Sequence, residues 1–240
     1  MQYPCSNCKK ECLSELLGTY LLVLVGPSSI IVAALIFDFN TVESLLFVAF
    51  SFGGTVALVV YFLGKHSGAI INPAITFGAT FAKILHSKYF VPYLFFQLVG
   101  GLLAGLTLKF IFSSTAASTT TIELGSTELA KGVSPVLGLA LEIVGTFILT
   151  ISALIASTSI KSAIGRALLV GGTLFVLILF IGPLTGASFN PARSLGPSLA
   201  SGYFTNLYLY IIGPLVGALL AGLVFRSVKE NAKRNLVCLY

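Results

Sequence analysis

The chain alternates long apolar runs with short polar breaks. Six runs are about 20 residues long or more, the length that carries a helix across the hydrocarbon core of a bilayer. They are Leu13–Phe37, Val42–Leu63, Tyr89–Phe112, Pro135–Ser157, Ala163–Ile181 and Leu207–Phe225. Two further segments begin at Asn72 and Asn190, each too short to cross and each opened by a Gly-rich loop. Ser113–Gly132 is polar and rich in Ser and Thr. The pattern predicts an all-α membrane protein of six transmembrane helices and two re-entrant half-helices. Its expected divisions are a tail (1–12), a first repeat (13–112), an outer connecting loop (113–134), a second repeat (135–226) and a basic tail (227–240).

The halves repeat. Ser14-Glu15-Leu16-Leu17-Gly18-Thr19-Tyr20 matches Leu141-Glu142-Ile143-Val144-Gly145-Thr146-Phe147. Gly68-Ala69-Ile70-Ile71-Asn72-Pro73-Ala74 matches Gly186-Ala187-Ser188-Phe189-Asn190-Pro191-Ala192. Gln97–Gly105 matches Pro214–Gly222, with Gly and Ala at positions that let helix backbones approach closely. Three registers in one order mark an internal duplication. Each half has an odd number of spans, so the second enters the membrane from the opposite side. In such an inverted repeat the functional site is expected near the midplane, between the halves.

Composition agrees with a bilayer as solvent. The 240 residues are 56% hydrophobic and 9% charged, against about 25% charged in a soluble domain. No cleavable signal peptide is expected, because the first apolar run is too long for one. The net charge of +6 does not indicate a nucleic-acid partner, because the basic residues lie in tails and loops. One face collects Lys9, Lys10, Lys65, Lys83, Lys88, Lys161, Arg166, Arg226, Lys229, Lys233 and Arg234. The other carries Lys109 and Lys131 with Asp38, Glu43, Glu123 and Glu128. By the positive-inside rule both termini are expected in the cytoplasm, with the cell membrane as the expected location.

The cysteines are Cys5, Cys8, Cys12 and Cys238, all outside the apolar runs as delimited above. Cys5, Cys8 and Cys12 could begin a metal knuckle, or form a reduced solvated tail. Three ligands without a nearby His are an incomplete set, so no metal is expected. No cofactor is expected either. There is no Ser/His/Asp arrangement, phosphate loop or cofactor fingerprint, and the chain does not read as an enzyme.

Asn-Pro-Ala at the head of a half-helix has a physical reading. Asn is a favoured N-cap and Pro is favoured at the first helical position. The Asn oxygen accepts from the helix backbone, leaving both amide protons of Asn72 and Asn190 for use across a lumen. A water oxygen that accepts from both Asn side chains must point its protons in opposite directions along the pore. That breaks the uniform orientation a proton wire needs. Two half-helix N-termini add a barrier to cations. Glu15 and Glu142 lie in apolar spans at matching places. They read either as a proton relay or as acceptors for the N–H groups of the pore loops.

These residues carry a family resemblance. Ser67–Ala74, Thr185–Ser194 and the two Glu-x-x-Gly-Thr openings resemble the aquaporin, or major intrinsic protein, family over about Ser14 to Phe225. The resemblance implies a homotetramer with one pore per subunit, and a pore centre at Asn72, Pro73, Ala74, Asn190, Pro191 and Ala192. It also implies a narrow selectivity ring at Phe52, Ile178, Ala187 and Arg193. Strict water channels carry His at the position of Ile178 and often Cys at that of Ala187, so this ring is expected to be wider and more apolar. It looks like that of some archaeal aquaporins and approaches some plant ones. Ser194 stands where glycerol facilitators usually carry Asp. Ile70 stands where the family commonly has His, with His66 four residues earlier as a solvated loop residue. The expected activity is passive passage of water, with possible leakage of small neutral solutes. A glycerol-type facilitator and a coupled secondary transporter are the alternatives.

Overall fold

Caps set where the apolar runs become helices. Thr41, Ser134 and Ser162 accept from Ser44, Leu137 and Gly165 N–H at 3.3, 3.2 and 3.2 Å, closing open donors at three helix starts. The computed structural model describes residues 8–37, 41–113 and 123–237. Its helices are α1 (Cys8–Ile36), α2 (Val42–Ser67), α3 (Pro73–Phe81), α4 (Phe90–Phe112), α5 (Pro135–Ser159), α6 (Ala163–Thr185), α7 (Pro191–Ser201) and α8 (Leu209–Val237). Six are long and apolar enough to cross a membrane, and α3 and α7 are the two short ones.

Several helices outrun their apolar stretches. α2 and α6 continue past Leu63 and Ile181 and end on Gly68 (φ 88°) and Gly186 (φ 74°). Left-handed backbone is inexpensive for glycine and stops a helix cleanly. α6 passes through Pro183, since neighbouring packing compensates the lost bond. α1 begins at Cys8, so Cys12 lies inside a span, buried against the core. This corrects its placement in a tail outside the spans. Cys5, the Cys8 side chain and Cys238 lie outside the described residues.

The packing displays the inverted repeat. α1 lies on α4 as α5 lies on α8, and α1 on α2 as α5 on α6. The half-helices cross over: α7 of the second half packs on α4 of the first, and α3 packs on α8. Small residues permit this. A Cβ on Gly105 would overlap the Gly196 carbonyl of α7, and one on Gly222 the Gly78 carbonyl of α3. On the local two-fold axis, Gly53 of α2 and Gly171 of α6 each face the other's carbonyl. Such close approach is how helices associate where lipid leaves no hydrophobic drive between them. Large apolar side chains face outward, Phe110 being 84% exposed.

Candidate functional site

α3 and α7 begin head to head. Asn72 (φ −152°, ψ 115°) and Asn190 (φ −152°, ψ 109°) cap them with nearly identical backbones. Asn72 Oδ1 accepts from Ala74 and Ile75 N–H at 2.9 and 3.4 Å. Asn190 Oδ1 accepts from Ala192 and Arg193 at 3.0 and 3.4 Å. Pro73 and Pro191 occupy the first turn, where a missing N–H costs nothing.

The two amides then cross. Asn72 Nδ2 donates to Phe189 O at 2.8 Å, and Asn190 Nδ2 donates to Ile71 O at 2.9 Å. Each half-helix cap is thereby tied to the other half's pore loop. This amends the sequence reading, which left both amide protons free. One N–H per Asn is used in the cross-tie, and one remains.

The pore loops before each Asn share a strained path. Positive φ occurs at Gly68, Ala69 and Ile71, and again at Gly186, Ala187 and Phe189. For the non-glycine residues this costs on the order of 1 kcal/mol each. Buried carboxylates hold it in place. Glu15 accepts from Ile70 N–H at 3.0 Å and Ile71 N–H at 2.7 Å. Glu142 accepts from Ser188 N–H at 3.0 Å and Phe189 N–H at 2.8 Å. Both are fully buried. Neither is among the residues lining the cavity described below. Of the two readings of these acids, the geometry matches the acceptor.

Three residues after each Glu, Gly18 and Gly145 leave space filled by Ile71 and Phe189, where a Cβ would collide. The Glu-x-x-Gly opening thus supplies both an acceptor and a recess for one pore loop. The recess was not read from the sequence, although the repeated glycine was its signal.

With their N–H groups turned to the carboxylates, the loops turn carbonyls the other way. Among the described residues, no hydrogen bond reaches the carbonyls of Gly68, Ala69 and Ile70, nor those of Gly186, Ala187 and Ser188. A cavity of about 270 Å³ runs along these loops. Its other wall is apolar, with Val56, Val60, Leu149 and Leu174 among the residues lining it. Asn72, Asn190, Ala187, Phe52 and Arg193 line it as well, and Lys65, Ser157 and Arg166 also border it. A small polar solute here would meet acceptors on one side and hydrocarbon on the other.

Arg193 is 1% exposed. Its guanidinium lies 5.1 Å from the Phe52 ring centroid, and one terminal nitrogen donates to Gly125 O at 2.8 Å. Nε and the other terminal nitrogen have no protein partner among the described residues. They are two unpartnered donors on a residue that lines the cavity. Ile178 is buried in α6 but is not among the cavity-lining residues. Three of the four expected ring residues therefore meet at the cavity.

The connecting loop supplies two supports the sequence did not announce. Gly125 O holds Arg193, and Thr127 Oγ1 lies 2.9 Å from Ser194 Oγ. Ser194 is also 2.6 Å from Ser188 Oγ. Ser194 is therefore a buried hydroxyl post rather than a group open to solute. A third unread residue is Gln97 of α4, which donates to Glu15 at 2.7 Å. His66 is exposed in the last turn of α2, while Ile70 lines the cavity. No cluster of three or more His, Cys, Asp or Glu that could hold a metal occurs among the described residues.

Comparison with known proteins places this architecture. The family model described as Major intrinsic protein matches residues 3–225. The chain is 34% identical to Aquaporin AqpM of the archaeon Methanothermobacter marburgensis, over 92% of this chain and 98% of that protein. It is 32% identical to Aquaporin NIP1-1 of Zea mays, over 93% of this chain and 76% of that one. Among solved structures, the aquaglyceroporin from Plasmodium falciparum superposes with a TM-score of 0.78 at 22% identity, covering 98% of this chain and 100% of that one. That likeness bears on fold. The chain belongs to the major intrinsic protein family: it is a multi-pass membrane channel for water or small neutral solutes, with six spans, and not an enzyme.

Proposed function

We propose that the chain is a passive water channel that rejects ions and protons, its pore centred on Asn72 and Asn190. The observation that carries this is the reciprocal tie between the halves, Asn72 Nδ2 to Phe189 O and Asn190 Nδ2 to Ile71 O. It fixes both amides, and leaves each one N–H for a water oxygen at the junction. A water held by both donors directs its protons outward along the file, so a proton cannot hop through. The half-helix N-termini reinforce this against any cation.

The narrow ring is built on Phe52, Ala187 and Arg193, with the Arg193 charge acting against cations, and Ile178 is the fourth position that the family resemblance assigns. Ala187 and Ile178 make it less polar than a ring with His and Cys, so small neutral solutes leak through it. A glycerol-type facilitator is the second reading, favoured by that apolar character. A coupled transporter would require ion-binding or titratable groups at the junction, where amides stand. The working form is a homotetramer in the cell membrane, each subunit with its own pore and both termini in the cytoplasm. Lys65, Lys83, Lys88, Lys161 and Arg166 then lie on the inner face. No cofactor takes part.

Stopped-flow light scattering on proteoliposomes tests the assignment. Water efflux under an osmotic step is expected to be rapid, non-saturating and independent of ion gradients, and larger than glycerol flux. Glycerol flux equal to or above water flux selects the facilitator. Saturation, or dependence on an ion gradient, overturns the channel.

A further inference from the structure

One stripe of α4 touches both half-helices. Tyr93, Gln97, Gly101 and Gly105 recur every fourth residue and so share a face. Tyr93 Oη donates to Ser67 O, at the head of the first pore loop, at 3.1 Å. Gln97, fully buried, donates through Nε2 to Glu15 Oε2 at 2.7 Å and to Thr76 Oγ1 at 2.9 Å. Thr76 Oγ1 in turn donates to Asn72 O at 2.9 Å. Gly101 and Gly105 receive the Ala192 and Gly196 carbonyls of the other half-helix.

The repeat-related stripe on α8 is Tyr210, Pro214, Ala218 and Gly222. Its lower part still receives a half-helix, Gly222 against Gly78. Its upper part has let go. The Tyr210 hydroxyl is buried without a partner among the described residues, and Pro214 has no side-chain donor. Glu142 accepts from Thr185 Oγ1 at 2.8 Å in addition to its two loop N–H groups, as Glu15 accepts from Ser67, and among the described residues only Glu15 has a side-chain amide donor besides.

From this we infer that Gln97 is a positioning residue for the pore centre. It joins the Glu15 carboxylate to the first turn of α3, so that the aim of the Asn72 amide is set by α1 and α4 together. Both Gln97 amide protons are used, one on a carboxylate and one on the hydroxyl that binds the Asn72 carbonyl. In the second half Pro214, at the matching place on α8, cannot do this, and Ser194 is tied to Ser188 and to Thr127 of the connecting loop instead. The first half-helix is thus registered from within the helix bundle, and the second from the outer loop. The inference rests on the reading of Asn72 as pore centre.

Gln97→Leu, Thr76→Val and the double variant test it in proteoliposomes, with flux normalised to inserted protein and Asn72→Asp as control. Each single variant is expected to lower water flux per channel by roughly three- to tenfold, the range a lost hydrogen bond commands. Each is also expected to admit a proton leak absent from the wild type. The double variant should be no worse than the poorer single one, because both cut the same link. If Gln97→Leu does not insert, Thr76→Val alone must show the loss. Normal flux and proton exclusion in the variants that insert, or effects that multiply in the double variant, overturn the inference. Should Asn72→Asp itself be without effect, it is the pore-centre reading that fails.

Discussion

The two halves of the molecule are alike in backbone and unlike in side chains. Both pore loops take the same left-handed path, both are held by a buried Glu, and both lead into an Asn cap whose amide reaches across. Around that shared frame the chemistry diverges. Three residues past its Asn, the first half has Ile75 and the second has Arg193. The first half is braced by Gln97 and Tyr93 of α4, the second by Gly125 and Thr127 of the connecting loop. The lesson is a division of labour. On the proposed function, what has to be symmetrical sits at the junction, where two equal donors would orient one water. What would discriminate, the Arg193 charge, sits in one half alone.

The symmetrical part can be broken most severely at the carboxylates. Glu15→Leu and Glu142→Leu each orphan at least two buried loop N–H groups, at roughly 1–3 kcal/mol apiece, and also release a side-chain donor, Gln97 or Thr185. Each variant should therefore lose about 2–6 kcal/mol of stability, read as a lower melting temperature in detergent and poor yield of inserted protein. Comparable losses are expected at both sites. Tolerance at one of them would show that its loop is held by something else.

Arg193→Val removes the asymmetric part. In the proposed filter its guanidinium supplies the fixed charge. Water should still pass, while proton or cation leak rises about tenfold or more, equivalent to ~1.4 kcal/mol off a barrier. The matching change in the first half, Ile75→Val, should leave exclusion intact. A leak-free Arg193→Val channel would collapse the proposed division.

How far the sequence reveals all this depends on the distance over which each contact acts. The spans, half-helices and Asn caps follow from local periodicity and from residue types whose chemistry is local. Glu15 and Glu142 stand out because a carboxylate in an apolar run needs donors. The cross-ties were half legible: the Asn residues could be placed, but their partners are backbone carbonyls, which have no sequence signature. Gly125 and Thr127 were not legible, since they lie in a Ser/Thr-rich stretch and act on residues 68 and 67 positions away. Gln97 carried a signal that went unread, a lone amide in an apolar helix whose repeat mate is Pro214.

Smaller changes sharpen the ring. Ala187 lines the cavity and Cys12 does not, so mercurials should leave wild-type water flux unchanged and block Ala187→Cys. Block of the wild type, or an unaffected Ala187→Cys, means the ring has been assigned wrongly. Thr127→Val is the mildest. It removes one hydroxyl contact to Ser194, worth about 1 kcal/mol. It should shift the glycerol-to-water flux ratio while changing water flux by less than about twofold. An equal fall in both solutes would mean Thr127 supports folding and not the filter.

On the proposed function, two equivalent amides at the junction let water through and keep protons out. The direct measurement follows water efflux and internal pH together, in proteoliposomes bearing the wild type, Asn72→Asp or Asn190→Asp. Each substitution replaces a donor with an acceptor facing the carbonyl of Phe189 or Ile71. Rapid wild-type efflux with no pH change is expected, and severe, closely similar damage to water flux or proton exclusion in both variants. Two correctly inserted variants with wild-type flux and wild-type proton exclusion would contradict it.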